Sequence, residues 1–199
     1  MEYFLQGLTM GLAYVAPIGV QNLFVINSAL TQNRLRALLT ALIVIFFDIT
    51  LALACFFGIG VIMEHYKWLQ MLIILAGSII IIYIGIGLLR DKCSEIVRND
   101  PPPSIISTIY TACVVTWFNP HAIIDGTMML GAFNASLPPT QSTAFILGVA
   151  TSSCIWFTGL SMTISLLSDR FNAKVLRAIN IVCGIVIIFF GCKLLFNLI

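Results

Sequence analysis

Two aspartates, Asp48 and Asp125, lie deep inside long apolar stretches of the chain. The other acidic residues fall in polar connections or at the ends of apolar stretches, and no lysine or arginine lies at a depth comparable to the two aspartates. An ionised side chain inside an apolar layer is costly, and by default it marks a functional site. The two carboxylates therefore need a cation, a proton or hydrogen-bond donors to balance them.

A proline precedes the second aspartate in the stretch Trp117–Asp125, whose sequence is WFNPHAIID. Proline within a helix removes one backbone donor and clashes with the preceding turn, so that the helix kinks or breaks. Asn119 is a good N-cap residue, and Pro120 is a good first helical residue. The stretch therefore predicts two half-helices, of which the second begins at Pro120.

A similar interruption occurs near the beginning of the chain, where Pro17 and Gly19 stand next to the amide side chains of Gln21 and Asn22. The starts of the two half-helices, at Pro17–Gly19 and at Asn119–Pro120, offer free backbone N–H groups to an anionic group. Carboxylates together with helix N-termini suit a molecule that carries both ammonium and carboxylate groups. We therefore expect an amino-acid ligand, particularly one with an additional positive charge.

The two halves of the chain resemble each other. Pro17 precedes Asn22 by the same number of residues as Pro120 precedes Asp125, and the same offset aligns Asp48 with Thr151. Interrupted helices at matching positions of inverted repeats are typical of the midplane binding site of a secondary transporter. The predicted parts are a first three-helix repeat at 1–90, a cytoplasmic proline-containing connector at 91–104 and a second three-helix repeat at 105–199.

The composition indicates which elements position these residues. Of the 199 residues, 60% are hydrophobic and only 9% are charged, a far lower charged fraction than in soluble domains. We predict an all-α integral membrane protein in the lipid bilayer, without a nucleic-acid partner, and we expect its first span to be retained because the start lacks a basic n-region. Six transmembrane helices are predicted near 4–29, 37–62, 69–90, 105–132, 143–167 and 176–197.

Basic residues predict the orientation, because cytoplasmic loops of membrane proteins are enriched in lysine and arginine. We therefore expect three cytoplasmic connections and both termini outside, although Lys193 near the outer end of the last span mildly opposes this. The basic residues of the three connections are Arg34 and Arg36; Arg90, Lys92 and Arg98; and Arg170, Lys174 and Arg177.

Cysteine spacing argues against a redox or metal-binding role. The six cysteines form no CxxC pair and no cluster with metal-ligand spacing. Most of them lie in apolar stretches, where cysteine packs as a small hydrophobic residue. We expect no cofactor and no resident metal, and the missing CxxC disfavours a membrane thiol carrier.

Several neighbouring residues have two interpretations. Trp156 can be a cation–π lid over the ligand or a packing aromatic. His121 can be a proton relay, but a simple hydrogen-bonded role is favoured. Thr151 and Ser152 can contribute to the site or only cap carbonyls of their own helix. The candidate substrate-binding residues are Gln21, Asn22, Asp48, Asn119, Asp125 and Trp156, with helix breaks at Pro17, Gly19 and Pro120.

Several motifs along the chain resemble those of one known family: Pro17–Val25, Asp48, Trp117–His121 with Asp125, Ser153–Phe157 and Arg177–Asn180. The chain resembles the LysE/ArgO family of bacterial basic amino-acid exporters nearly from end to end, and the Trp-Phe-Asn-Pro stretch is the most specific part. The resemblance implies a multi-pass exporter of L-lysine or L-arginine in the bacterial inner membrane, and not an enzyme. One departure is that the family usually has a second proline at the position of Val20, so the first break can be milder here.

Outward movement of a cation opposes an inside-negative potential by about 2.3 kcal/mol per 100 mV. Export therefore needs coupling, and we expect exchange for protons at Asp48 and Asp125. Exporters of neutral amino acids or of metal cations are the alternatives within the same superfamily. An intramembrane aspartyl protease would also use two aspartates, but neither aspartate lies in a Gly-x-Gly-Asp sequence. The sequence leaves the oligomeric state open, a homodimer included.

Overall fold

The computed structural model describes residues 1–58, 66–90, 103–138 and 140–167, together with isolated positions between 178 and 196. Within these ranges all regular secondary structure is helical. The end of the second predicted span (59–62), most of the predicted connector 91–104 and most of the sixth predicted span (176–197) lie outside the described residues.

The described helices follow the apolar stretches of the sequence. They are α1 Glu2–Val15, α2 Val20–Thr31, α3 Arg34–Phe56, α4 Lys67–Arg90, α5 Ile105–Trp117, α6 Pro120–Gly126, a π-helical segment at Thr127–Gly131, α7 Ala132–Ser136 and α8 Ser142–Leu167. In the described part of the chain, α3 and α8 are long and apolar enough to cross a membrane, and α1 with α2 forms a third candidate span that is bent by 78°. The chain is therefore an all-helical membrane protein.

Side-chain caps fix where two of these helices begin. The Asn33 side chain accepts a hydrogen bond from the Arg36 backbone N–H at 2.9 Å, and the Ser104 hydroxyl accepts one from the Ser107 N–H at 3.1 Å. Such caps satisfy N–H groups that have no acceptor within the helix. The Arg36 guanidinium also donates to the Pro103 carbonyl, which joins the start of α3 to the start of α5.

Glycines bring α1 and α8 into close contact. A Cβ at Gly7 would overlap the backbone of Phe145, and a Cβ at Gly148 would overlap the Phe4 carbonyl oxygen. Small residues at such crossings allow two membrane helices to pack backbone to backbone, which compensates for the lack of a hydrophobic driving force between helices in lipid. This contact holds α8 in place beside the bend between α1 and α2.

Helix α3 lies at the centre of the described bundle and packs against α2, α5, α6 and α8. A fully buried cluster joins it to its neighbours through Val44 of α3, Val25 of α2, Ala112 of α5 and Phe157 of α8. Because α3 is surrounded in this way, a polar side chain on it must find partners within the protein. Asp48 is the charged residue in that position.

Candidate functional site

The first break separates α1, which ends at Val15, from α2, which begins at Val20. A broken helix leaves backbone carbonyls without their usual N–H partners. The side-chain amide nitrogen of Asn22 donates to two of them, the Val15 carbonyl at 3.0 Å and the Pro17 carbonyl at 2.7 Å. Asn22 is almost fully buried, so these bonds form where water is excluded. Asn22 therefore holds the bend closed from within.

Trp156 ties α8 to the same break. Its indole N–H donates to the Asn22 side-chain oxygen at 2.8 Å, so that both polar ends of the Asn22 amide have protein partners. The ring also packs against the cluster that contains Val15 and Phe157. These contacts favour the packing interpretation of Trp156, with an added hydrogen bond that the sequence did not indicate.

Asp48 lies between the first break and α8, and its side chain is only 1% exposed. Its Oδ1 accepts from the Gln21 side-chain amide at 2.9 Å, and its Oδ2 accepts from the Ser153 hydroxyl at 2.6 Å. Both carboxylate oxygens thus have a neutral donor. Gln21 is one of the predicted binding residues, whereas Ser153 is known from the sequence only as the first residue of a family motif. The repeat alignment, which placed Thr151 opposite Asp48, came within two residues of it.

The second break separates α5, which ends at Trp117, from α6, which begins at Pro120. Asn119 occupies the N-cap position and Pro120 the first helical position, but the Asn119 side chain accepts no hydrogen bond from the first turn. The Asn119 backbone N–H donates to the Thr116 carbonyl at 3.4 Å. The side chains of Pro120 and His121 lie outside the described part of the structure.

Two side chains contact helix α6, and a third contact holds the end of α5 just before it. The Tyr14 hydroxyl of α1 donates to the Ala122 carbonyl at 3.2 Å, and the Cys55 thiol of α3 contacts the Ile123 carbonyl at 3.7 Å. Just before α6, the Trp117 indole N–H donates to the Thr50 hydroxyl at 3.2 Å. These contacts join the second break to α1 and α3.

Asp125 lies at the end of α6, directly before the π-helical segment, and it is half-buried. A Cβ at the adjacent Gly126 would lie 2.9 Å from the Cys55 sulfur and 3.2 Å from the Tyr14 ring, so the backbone is pressed against both. π-Helical turns inside α-helices are frequent at functional sites. Tyr14 therefore lies close to the end of α6 that carries Asp125.

Tyr14 and Ser153 are therefore the main site residues that sequence reasoning missed, because neither residue type is unusual in an apolar helix. The capping interpretation of the two other hydroxyl residues is confirmed: Thr151 bonds the Leu147 carbonyl at 2.7 Å and Ser152 bonds the Val149 carbonyl at 2.6 Å. Among the described residues, no three His, Cys, Asp or Glu side chains form a group that could hold a metal ion.

This geometry separates two chemical environments. Asp48 is sealed from water and balanced by hydrogen bonds, whereas Asp125 is partly accessible beside a break in the backbone. A sealed carboxylate suits proton exchange, because burial favours the neutral acid. An accessible carboxylate suits a cationic group that arrives from solution. Together they fit a transport site better than a hydrolytic one.

Comparison with known proteins agrees with this assignment. The chain matches the family described as LysE type translocator over residues 12–198. It is 32% identical over 194 residues to the arginine exporter protein ArgO of Salmonella schwarzengrund (strain CVM19633), covering 94% of this chain and 90% of that protein. It is also similar to the ArgO proteins of Klebsiella pneumoniae (strain 342), at 32% over 96% of this chain and 92% of that protein, and of Escherichia coli O157:H7, at 30% over 97% and 93%.

No solved structure matches this chain. The family match extends over nearly the whole sequence. It includes both helix breaks, Asp48 and Asp125. The chain therefore belongs to the LysE type translocator family, which makes it a membrane transporter rather than an enzyme.

Proposed function

We propose that this protein exports basic amino acids, arginine or lysine or both, from the cytoplasm in exchange for protons. The observation that supports this most directly is the contrast between its two aspartates. Asp125 is half-buried at a helix break, whereas Asp48 is sealed by Gln21 and Ser153. The relatives are named arginine exporters, which favours arginine as the first substrate to test.

In this proposal Asp125 contacts the cationic side chain of the substrate. The substrate carboxylate binds backbone N–H groups at a half-helix start, where the helix dipole favours an anion. The start of α2 is suited to this, because Gly19 faces open space and its neighbour Ile18 is 65% exposed. Asn119 lines the corresponding start of α6.

The remaining candidate residues act by holding the site in shape. Gln21 positions Asp48, while Asn22 and Trp156 fix the bend through their mutual hydrogen bond. A substrate that reached these residues would have to displace existing bonds. We therefore place the first substrate contact at Asp125 and the open end of α2.

Proton antiport follows from energetics. Exporting one positive charge against an inside-negative membrane potential costs about 2.3 kcal/mol per 100 mV. An inward proton cancels that charge movement and adds the energy of the pH gradient. A carboxylate within the membrane can carry out both steps, because a bound cation favours its ionised form and burial favours its protonated form. Asp48 and Asp125 are the residues that we assign to this coupling.

The two helix breaks also support a repeat architecture. We propose six transmembrane helices in two inverted repeats, 1–90 and 105–199, joined by a cytoplasmic connector at 91–104. In this arrangement the basic connections face the cytoplasm, both termini lie outside and the protein resides in the inner membrane. Labelling of single cysteines introduced into these connections tests the orientation, and a cytoplasmic N-terminus with an external C-terminus would overturn it.

The decisive experiment uses purified protein in liposomes, with an imposed pH gradient and potential. Wild type should move labelled arginine or lysine and should move protons in the opposite direction. Asp48→Asn and Asp125→Asn should insert normally and lose gradient-driven transport. Glu2→Gln is the matched control, because Glu2 is exposed at the start of α1 and should not affect export. Gradient-driven transport that persists in the double Asn variant would show that the carboxylates are structural.

The same liposomes separate the alternative substrates. Transport of neutral amino acids alone would keep the protein a transporter but overturn the assignment of a basic substrate. Transport of a divalent metal cation in place of amino acids would do the same. Measuring the mass of the purified protein in detergent would decide whether it is a homodimer.

A further inference from the structure

We propose that the Ser153 hydroxyl is the switch that allows the sealed Asp48 carboxylate to take up and release the coupling proton. This inference rests on the proposed proton antiport and names the group that makes it work. It starts from the observation that Asp48 is 1% exposed and has two neutral donors, one on each oxygen. A buried acid that changes its protonation state must have acceptable partners in both states.

The two donors differ in what they can do. The Gln21 amide nitrogen only donates, and it bonds Oδ1 in either state. The Ser153 hydroxyl can both donate and accept. When Asp48 is ionised, Ser153 donates to Oδ2 at 2.6 Å. When Oδ2 carries the proton, the acid O–H donates to the Ser153 oxygen, and the hydroxyl hydrogen of Ser153 must turn to another acceptor.

That second acceptor is already present. The Ser153 hydroxyl oxygen lies 3.4 Å from the Val149 carbonyl oxygen of its own helix. Rotation about the C–O bond of Ser153 is therefore sufficient, without movement of any heavy atom. The Val149 carbonyl also accepts from Ser152 at 2.6 Å, so the longer bond from Ser153 is the weaker of two. The Ser153 hydroxyl therefore bonds Oδ2 of Asp48 more closely than the Val149 carbonyl, which remains as an alternative acceptor.

Among the described residues, few other ionisable groups lie near Asp48, and the side chain of His121 on α6 lies outside that description. Tyr14 of α1 and Cys55 of α3 both lie within electrostatic range of Asp48. Asp125 of α6 lies within electrostatic range of the same Tyr14. Helix α2 carries no ionisable residue, α8 carries only Cys154, which is exposed, and α5 carries only Tyr110, also exposed, and Cys113. Neither α2 nor α8 carries a charged residue that could pair with Asp48. The Ser153 hydroxyl is instead a partner that can either donate or accept a hydrogen bond.

The test compares Ser153→Ala with Ser152→Ala in proteoliposomes. Both serines are buried on α8, but only Ser153 contacts Asp48. Two transport modes are measured across external pH: gradient-driven arginine uptake or release, and arginine–arginine counterflow, which needs no net proton movement. Ser153→Ala should keep counterflow and lose gradient-driven transport by about tenfold, the loss expected for one missing buried hydrogen bond. Ser152→Ala should keep gradient-driven transport, because the bond between Ser153 and Asp48 remains.

The pH profile supplies a readout that a purely structural role would not move. Loss of a charge-assisted bond disfavours the carboxylate more than the acid, so the midpoint of the profile in Ser153→Ala should rise by about one pH unit. Ser153→Thr retains the hydroxyl and should restore both the midpoint and the coupling. An unchanged profile in Ser153→Ala, or equal loss of both transport modes, would overturn the proposal.

The same transport measurements distinguish failure of the Ser153 proposal from failure of the proposed function. If wild type shows neither counterflow nor gradient-driven transport of arginine or lysine, the proposed function fails. If wild type transports without pH dependence, proton coupling fails. If wild type is pH-coupled and Ser153→Ala is indistinguishable from it, only the role of Ser153 fails. Failure of Ser153→Ala, Ser153→Thr and Ser153→Cys alike to fold would make Ser153 structural and would also overturn the switch.

Discussion

The two helix breaks share a spacing but differ in chemistry. Five residues after Pro17 stands an amide, Asn22, and five residues after Pro120 stands a carboxylate, Asp125. The amide donates to two carbonyls that the bend leaves without helical partners. An ionised carboxylate can only accept, so Asp125 cannot satisfy carbonyls in this way. The first break is therefore locked internally, and the second leaves a charged group half-exposed.

The two breaks also differ in how they are braced. The indole N–H of Trp156, on α8, donates to Asn22 itself. The indole N–H of Trp117 instead donates to Thr50 of α3. In the proposed function, the first break is a fixed platform beside Asp48, and the second is the face that meets substrate. Each of the following predictions tests one side of this contrast.

The largest effect is expected from Asp125→Asn, which gives the second break the amide of the first. Arginine transport should fall by about a hundredfold, because a bound cation loses its charged partner. Thermal stability should change little, since Asp125 is only half-buried. Export assays and thermal unfolding in detergent measure the two effects. A large drop in stability would assign Asp125 to the fold instead of the site.

The reverse change, Asn22→Asp, should damage the fold. It replaces two donors with a carboxylate that faces the Val15 and Pro17 carbonyl oxygens. We expect a loss of about 2–5 kcal/mol in the free energy of unfolding. Asn134→Asp is the matched control, because Asn134 is exposed on α7. Normal stability of Asn22→Asp would mean that the amide bonds do not hold the bend.

Removing the prolines should affect the second break more than the first. Alanine at 120 regains a backbone N–H whose helical acceptor is the Thr116 carbonyl, already the partner of the Asn119 N–H. The helix should become more continuous, and export should fall by about tenfold, within the range of a backbone change of this kind. Pro17→Ala should have a smaller effect, because Asn22 still holds the bend. If wild type, Pro120→Ala and Pro17→Ala export arginine equally well, both prolines only bend their helices.

Trp156→Phe keeps the aromatic packing but removes the bond to Asn22. We expect a loss of about 1 kcal/mol in stability, the usual contribution of one hydrogen bond, with nearly normal export. Trp117→Phe makes the same change beside the second break, where it removes the bond to Thr50, and Trp68→Phe is the exposed control. If Trp156→Phe instead abolishes export while stability is kept, the ring acts as a lid over the substrate.

The smallest effect is expected from Gly19→Ala. The φ of Gly19 is −117° and its ψ is −172°, which any residue can adopt, and an added Cβ would meet nothing within 4 Å. Stability should be unchanged, and the half-saturation concentration for arginine should rise by about threefold, a loss under 1 kcal/mol. Gly148→Ala is the contrast, because its Cβ would overlap the α1 backbone and should destabilise the protein. A destabilised Gly19→Ala would show that the open face of the first break is packed.

The sequence alone determined the all-helical membrane class, the apolar stretches that became α3, α4, α5 and α8, and the location of Asp48 and Asp125 within apolar segments. Hydropathy and charge act locally, so they can be taken from the order of residues. Residue type placed Asn119 at the N-cap but did not determine whether its side chain bonds the first turn, because that bond depends on the rotamer and on the local backbone.

Only the tertiary structure decided how the two aspartates differ. Asp48 meets Ser153 across a sequence separation of 105 residues, and Trp156 meets Asn22 across 134. These contacts depend on the register in which α8 packs against α1 through Gly7, Gly11 and Gly148, and that register is fixed by steric fit between helices. Serine and tyrosine in an apolar helix carry no local signal of such partners, so Ser153 and Tyr14 emerged only when the helices were brought together.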